Sequence, residues 1–158
     1  MSSQSSRPST MPWPPLIYVS AIALAIIANW LFPLPWIPNP LGEILFAVGL
    51  LLVALALAMI VSAIRTLLNA KTTVKPHQAA THLVTKGPFA FSRNPIYLGN
   101  TAIMLGLALI TGIVWFIIFA IVAAFATQKL AIEPEERHLE AQFGKRFRDY
   151  CKKVRRWI

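Results

Sequence analysis

The sequence predicts an all-α integral membrane bundle, four transmembrane helices in two hairpins followed by an amphipathic C-terminal helix. Three observations predict it. Of 158 residues, 56% are hydrophobic and only 13% charged, with a mean hydropathy of +0.60, whereas soluble domains carry roughly 25% charged residues. The apolar residues come in long blocks that suit lipid rather than one globular core. The charges gather in two segments, Arg65 to Arg93 and Lys129 to Arg156.

The first ten residues are Ser-rich, and the N-terminal stretch 1–15 is expected to be disordered ahead of a single membrane-embedded domain, 16–158. Four apolar segments follow: Leu16 to Phe32, Ile44 to Ile64, Pro95 to Ile110 and Ile113 to Ile132, the last with Lys129 placed to snorkel from its final turn. Crossing a ~30 Å hydrocarbon core takes about 20 helical residues. The second and fourth segments reach that length; the first and third are short. A short third span predicts that its cytoplasmic end lies below the headgroups, against other protein or a cavity, because unpaired backbone cannot face lipid. A signal peptide competes for the first segment, but Pro33, Pro35, Pro38 and Pro40 read as a turn rather than a cleavage region.

After the fourth segment, Glu133-Pro134 is expected to punctuate the chain. Leu139, Phe143, Phe147, Tyr150, Val154 and Trp157 then recur at helical spacing, with Arg137, Lys145, Arg148, Lys152 and Arg155 on the other faces. This stripe predicts an amphipathic helix lying on the cytoplasmic surface or docked on the bundle.

Fifteen Lys and Arg against six Asp and Glu give a formal charge of +9. In a soluble protein that balance would suggest nucleic acid; here the basic residues fall where they meet anionic headgroups, so membrane lipids are the expected partners and nucleic acid is not. One basic residue precedes the first segment, five lie from Arg65 to Arg93, and nine lie from Lys129, in the last turn of the fourth segment, to Arg156. All share one side of the membrane if both termini are cytoplasmic, as expected for a multi-pass protein of the inner, cytoplasmic membrane. The single cysteine, Cys151, is expected to be an inert thiol.

Polar residues able to do chemistry gather in two places on that side. The first is the run from Thr81 to Tyr97, in which Asn94 fits an N-cap and Pro95 the first helical position. Arg93 beside that helix start would make a site for a carboxylate or phosphate, or would snorkel to a headgroup. His82 alone suits a boundary residue, and Gly87-Pro88 a turn. The second place is Glu133, Glu135 and Glu136. Carboxylates so near a span are costly unless solvated, paired or used; equally, Glu135 and Glu136 after Pro134 would favour the dipole of a new helix. No spacing makes a metal site, and there is neither a nucleophile elbow nor a phosphate-binding Gly loop.

The ordered set His82, Gly87-Pro88-Phe89, Ser92-Arg93-Asn94-Pro95, Tyr97-Leu98-Gly99, a hydrophobic hairpin, Glu135-Glu136, Leu139, Phe143-Gly144, Phe147, Tyr150 and Val154-Arg155 resembles the isoprenylcysteine carboxyl methyltransferase and phospholipid methyltransferase superfamily, over about Thr72 to Ile158. It departs at position 94, Asn where carboxyl methyltransferases often have His, and at Phe147, where Tyr is common. The resemblance implies a membrane enzyme using S-adenosylmethionine near the cytosolic face, with a lipophilic methyl acceptor (carboxylate, amine or thiol) arriving from the bilayer. It implies that His82, Leu83, Val84, Gly87, Pro88, Arg93, Asn94, Pro95, Tyr97, Glu135 and Glu136 form the cofactor pocket, with Arg93 and Glu136 closest to catalysis. On that basis Arg93 and the helix start would hold an anionic group and a glutamate the cofactor's ammonium or ribose hydroxyls. Tyr97 and His82 would close the pocket, and His82 or a glutamate would take a proton from an amine or thiol acceptor. The competing class is a non-enzymatic scaffold or lipid-binding subunit whose basic tail grips headgroups.

Overall fold

The structure is a computed structural model that describes residues 13–70 and 82–158. Among the described residues it is all-helical. The first helix, α1, is Trp13–Leu31, so part of the stretch expected to be disordered is helical; Pro14 and Pro15 are tolerated because first-turn N–H groups have no intrahelical partner to lose. The rest of that expectation lies outside the described residues. Helix α2, Leu41–Asn69, extends the expected segment at both ends to 29 residues, about 43 Å. A short 3-10 turn at Gly87–Ala90 leads to α3, Pro95–Thr111, whose 17 residues make about 25 Å. Gly112, at φ 70° where side-chain-bearing residues are strained, ends α3 and donates its N–H to the Ala108 carbonyl.

Among the described residues, three helices are long and apolar enough to cross a membrane, Pro14–Leu31, Leu41–Asn69 and Trp115–Phe143, and Pro95–Thr111 is a shorter apolar helix. The protein is therefore an integral membrane protein. Its packing is that of lipid-facing bundles, with small residues inside and large ones outside. Ala21, Ala25, Ala108, Ala120 and Ala123 are buried with Tyr18, Met104 and Phe116 where α1, α3 and α4 meet, while Leu24, Leu51, Leu55, Ile121 and Phe125 are exposed. Helix α2 packs along α3, and α1 along α4. The α2–α3 seam is close at Gly49, where a Cβ would stand 2.8 Å from the Gly106 carbonyl oxygen.

Two expectations are corrected beyond the fourth segment. The chain does not break at Glu133-Pro134. Helix α4, Trp115–Thr127, passes through a π-helical turn at Gln128–Ile132 into α5, Glu133–Phe143. Proline in a regular helix lacks one hydrogen bond and crowds the carbonyl four residues back; a wider turn just before Pro134 relieves both. Glu135 and Glu136 therefore sit inside a continuous rod rather than decorating a fresh start. The break comes instead at Gly144, at φ 53°, after which α6 runs from Lys145 to Lys153. The expected single amphipathic helix is thus two, and its stripe docks: Phe147, Tyr150 and Val154 are buried together, with Leu83, Leu139, Phe143 and Cys151 against them. Val154 leaves the helix in an extended conformation, and the tail beyond it is irregular.

Candidate functional site

The site forms where the loop before α3, the π turn with α5, and the C-terminal tail converge. Gly87 opens the 3-10 turn at φ 61°, with Thr66 of α2 close enough that a Cβ at Gly87 would stand 3.1 Å from its hydroxyl. The Pro88 carbonyl then accepts from the N–H groups of Phe91 and Ser92, both at 3.1 Å. This compact turn delivers Ser92, fully buried, and Arg93 to the head of α3. Tyr150 of α6 holds the turn from below, its hydroxyl donating to the Phe89 carbonyl.

Arg93 points across the gap to α5, where its Nη2 meets Glu136 Oε1 at 2.8 Å. Nη1 reaches the Cys151 carbonyl at 3.5 Å. Glu136 is shared: Arg156 of the tail donates from Nη2 to Oε2 at 2.6 Å and from Nε to Oε1 at 3.2 Å. With Arg93 13% and Glu136 16% exposed, the pair lies well out of water, where charge-assisted bonds gain strength and unpaired charge is costly. Arg93 Nε is buried without a partner among the described residues. Beside this pair, the Tyr97 hydroxyl in the first turn of α3 donates to Oε2 of Glu135, the residue before Glu136, at 3.4 Å. Unlike Glu133, paired with Lys129, and Glu136, Glu135 forms no ion pair among the described residues.

The sequence placed Asn94 at the N-cap, and it occupies that position without capping: its side chain makes no hydrogen bond to the first turn. Its amide instead donates to the Arg156 carbonyl at 3.0 Å, and its own N–H is taken by Ser92 Oγ at 3.1 Å. The side chain is thus turned to the tail, and the N–H groups of the first turn of α3 are not capped by it. Pro95 opens the helix as expected and is buried. Thus Arg93, Asn94, Tyr97, Glu135 and Glu136 are brought together. Leu83 packs beneath them with Phe147, Tyr150 and Val154. Gly87 and Pro88 shape the loop, while His82 is exposed and Val84 half-buried on the approach to it.

Sequence reasoning missed three contributors. Arg156 was one more cation in a basic tail, and Ser92 stood in the motif before α3 without a role of its own. Tyr18 of α1 had no distinguishing signal; its hydroxyl donates to the Tyr97 carbonyl at 3.2 Å and lies 2.7 Å from Thr101 Oγ1, supporting the α3 turn that carries Tyr97. Outside the spans, burial pushes the thiol of Cys151 and the phenol of Tyr150 above their usual ranges.

The fold is a helical membrane bundle with a partly buried acid–guanidinium cluster at one end, which makes that cluster the candidate functional site. The family model for phospholipid methyltransferases matches residues 44–146, well over half the chain. The chain belongs to the phospholipid methyltransferase family. Among solved structures it is similar to a eukaryotic intramembrane Ras methyltransferase, isoprenylcysteine carboxyl methyltransferase, at 24% identity and a TM-score of 0.61. The match covers 92% of this chain and 52% of that one, so the chain spans about half its length, and the likeness is one of fold. A search of curated proteins gave no significant match.

Proposed function

We propose that the protein is an S-adenosylmethionine-dependent methyltransferase acting on a lipophilic acceptor at the cytoplasmic boundary of the membrane. The observation that carries the reading is the convergence of Arg93 with Glu136, at 2.8 Å, beside Tyr97 with Glu135, within a chain of this family. In this reading α3 is a fourth, short span, both termini are cytoplasmic, and residues 16–158 form one domain with its cofactor residues between 72 and 158.

The residues suit the cofactor, which carries a carboxylate, an ammonium and ribose hydroxyls. Arg93 has a buried donor to spare at Nε, and the uncapped first turn of α3 adds backbone N–H groups to it, a combination that holds a carboxylate. Glu135, without a cation of its own, takes the ammonium or the hydroxyls, and Tyr97 holds its carboxylate in orientation. Glu136 is already committed to two guanidiniums, so its part is to fix Arg93. Gly87, Pro88, Leu83 and Val84 form the wall, and His82 stands at the entrance. S-adenosylmethionine, when bound, supplies a methyl group made electrophilic by its sulfonium. The protein's work is orientation, worth several kcal/mol when the reacting atoms are held in line, and exclusion of bulk water by the docked α6. The acceptor enters from the bilayer at the head of α3, and Glu135 or His82 takes the proton of an amine or thiol acceptor.

Titration calorimetry of the protein in lipid nanodiscs with S-adenosylhomocysteine tests the pocket. Binding is expected, and Arg93→Ala and Glu135→Gln should each weaken it about tenfold or more, the scale of a lost charged hydrogen bond. Undisturbed titrations in both variants would remove the pocket; absence of binding to the unaltered protein would favour a scaffold. Incubation with extracted lipids and methyl-labelled cofactor then identifies the acceptor, and terminal tags accessible only from the cytoplasm confirm the orientation.

A further inference from the structure

Residue 156 lies beyond the family-matched stretch, which ends at 146, within a run of basic residues whose neighbours Lys152, Lys153 and Arg155 are exposed. Its own contacts are of another kind. The guanidinium meets Glu136 at two points, Nη2 to Oε2 at 2.6 Å and Nε to Oε1 at 3.2 Å, and such a paired contact fixes the plane of a carboxylate as well as its position. The main chain of the same segment holds the opposite wall. The Arg156 carbonyl accepts from Asn94 Nδ2 at 3.0 Å and from Ser92 Oγ at 3.3 Å, and the Arg155 carbonyl accepts the Arg93 N–H at 3.0 Å. Trp157 anchors the segment further, its indole N–H donating to Gln128 Oε1 of the π turn at 2.9 Å.

One short tail segment thus ties the loop before α3 to the π–α5 rod. The two walls belong to distant parts of the chain, and Glu136 alone would join them through a single contact with Arg93. A carboxylate held at one point can rotate. Held also by Arg156 through both oxygens, it presents Oε1 to Arg93 in one orientation, and Arg93 Nε is left without a partner among the described residues.

We propose that Arg156 is a positioning residue of the ligand site, acting through Glu136 and latching the C-terminal tail across the head of α3. The identity of the ligand rests on the methyltransferase reading; the latch itself does not, and the test separates the two.

Arg156→Met keeps the apolar stem and removes the contact; Arg156→Lys keeps the charge without the two-point grip. In nanodiscs, Arg156→Met is expected to weaken S-adenosylhomocysteine about tenfold, on the scale of one hydrogen bond to a charged group, with Arg156→Lys recovering part of the loss. Combined with Glu136→Gln, Arg156→Met should add less than about twofold, because residues acting through one another are not additive. Full additivity, or wild-type affinity in Arg156→Met, would overturn the proposal. A second arm needs no ligand. The amide of Arg93, bonded to the tail, should exchange with deuterium about tenfold faster in Arg156→Met while amides of the α2–α3 seam keep their protection. Unchanged exchange at Arg93 would defeat the latch. If the unaltered protein bound no S-adenosylhomocysteine, the methyltransferase reading would fail and the exchange arm would still decide the role of Arg156.

Discussion

Glu136→Ala isolates the energetics of the charged cluster. The carboxylate accepts from two guanidiniums, Arg93 at 2.8 Å and Arg156 at 2.6 Å, at exposures of 13%, 16% and 33% for Arg93, Glu136 and Arg156. Removing one partner of a fully buried ion pair costs about 3–5 kcal/mol, because a charge is left uncompensated, whereas an exposed pair is worth about 0–1 kcal/mol. Arg93 is close to the buried limit and cannot easily regain water; Arg156 is a third exposed and can swing outward. The deletion is therefore expected to cost about 2–3 kcal/mol, nearly all from Arg93. It follows that Arg93→Met combined with Glu136→Leu, which removes both members in favour of apolar groups, should recover most of the stability, to within about 1 kcal/mol of the original protein. Equilibrium unfolding in mixed micelles, followed by tryptophan fluorescence, measures both. A single Glu136→Ala within about 0.5 kcal/mol of the original, or a double variant worse than the single, would show that the pair is solvated and that the reasoning from burial is wrong.

Other perturbations probe other parts of the molecule. Gly49→Val pushes branched carbons toward the Gly106 carbonyl and the side chains of Leu109 and Ile110, where even a Cβ would stand 2.8–2.9 Å away; the α2–α3 seam must open, at about 1–3 kcal/mol in the same unfolding assay. Gly144→Ala meets no atom within 4 Å yet must hold φ 53°, so a purely conformational loss of about 1–2 kcal/mol is expected, and wild-type stability would mean that the α5–α6 joint relaxes freely. The raised pKa of Cys151, caused chiefly by burial, leaves less thiolate at neutral pH than a free thiol has. Alkylation by iodoacetamide at pH 7.5 should be slower than that of glutathione and should still be rising with pH above 9; a rate matching glutathione would contradict it.

Much of this protein can be read in its residues, because bilayer thickness and helical rise act on composition alone. The apolar blocks had to be helices and had to sit in lipid, and the Asn94-Pro95 pair marks the head of α3 correctly. Pairing was less legible. Arg93 and Glu136 both stand out as charges near a span, and the resemblance placed them in one pocket, yet neither spacing nor periodicity says that they bond to each other; 43 positions separate them, and only the antiparallel return of α4 beside α3 closes the gap. The expected break at Pro134 went wrong for a local reason: proline forbids a regular helix, but a π turn satisfies the same constraint without ending the rod. Gly144 then ends it, because a positive φ interrupts the helix whatever the surrounding pattern. Asn94 does not cap: its Nδ2 donates to a tail carbonyl 62 residues away, and the side chain, turned to that bond, makes none to the first turn.

By itself, then, the sequence determined membrane residence, helicity, the approximate spans and the presence of acids and cations at one end, since each follows from solvation and from dihedral preferences that act within a few residues. The tertiary structure decided which acid is held by two guanidiniums and which forms no ion pair among the described residues, that Arg156 rather than its equally basic neighbours reaches Glu136, and that α6 docks instead of floating. These outcomes depend on which groups meet after distant segments close, and a buried charge is stabilised only by a partner at hydrogen-bond distance, a quantity that composition and spacing do not contain.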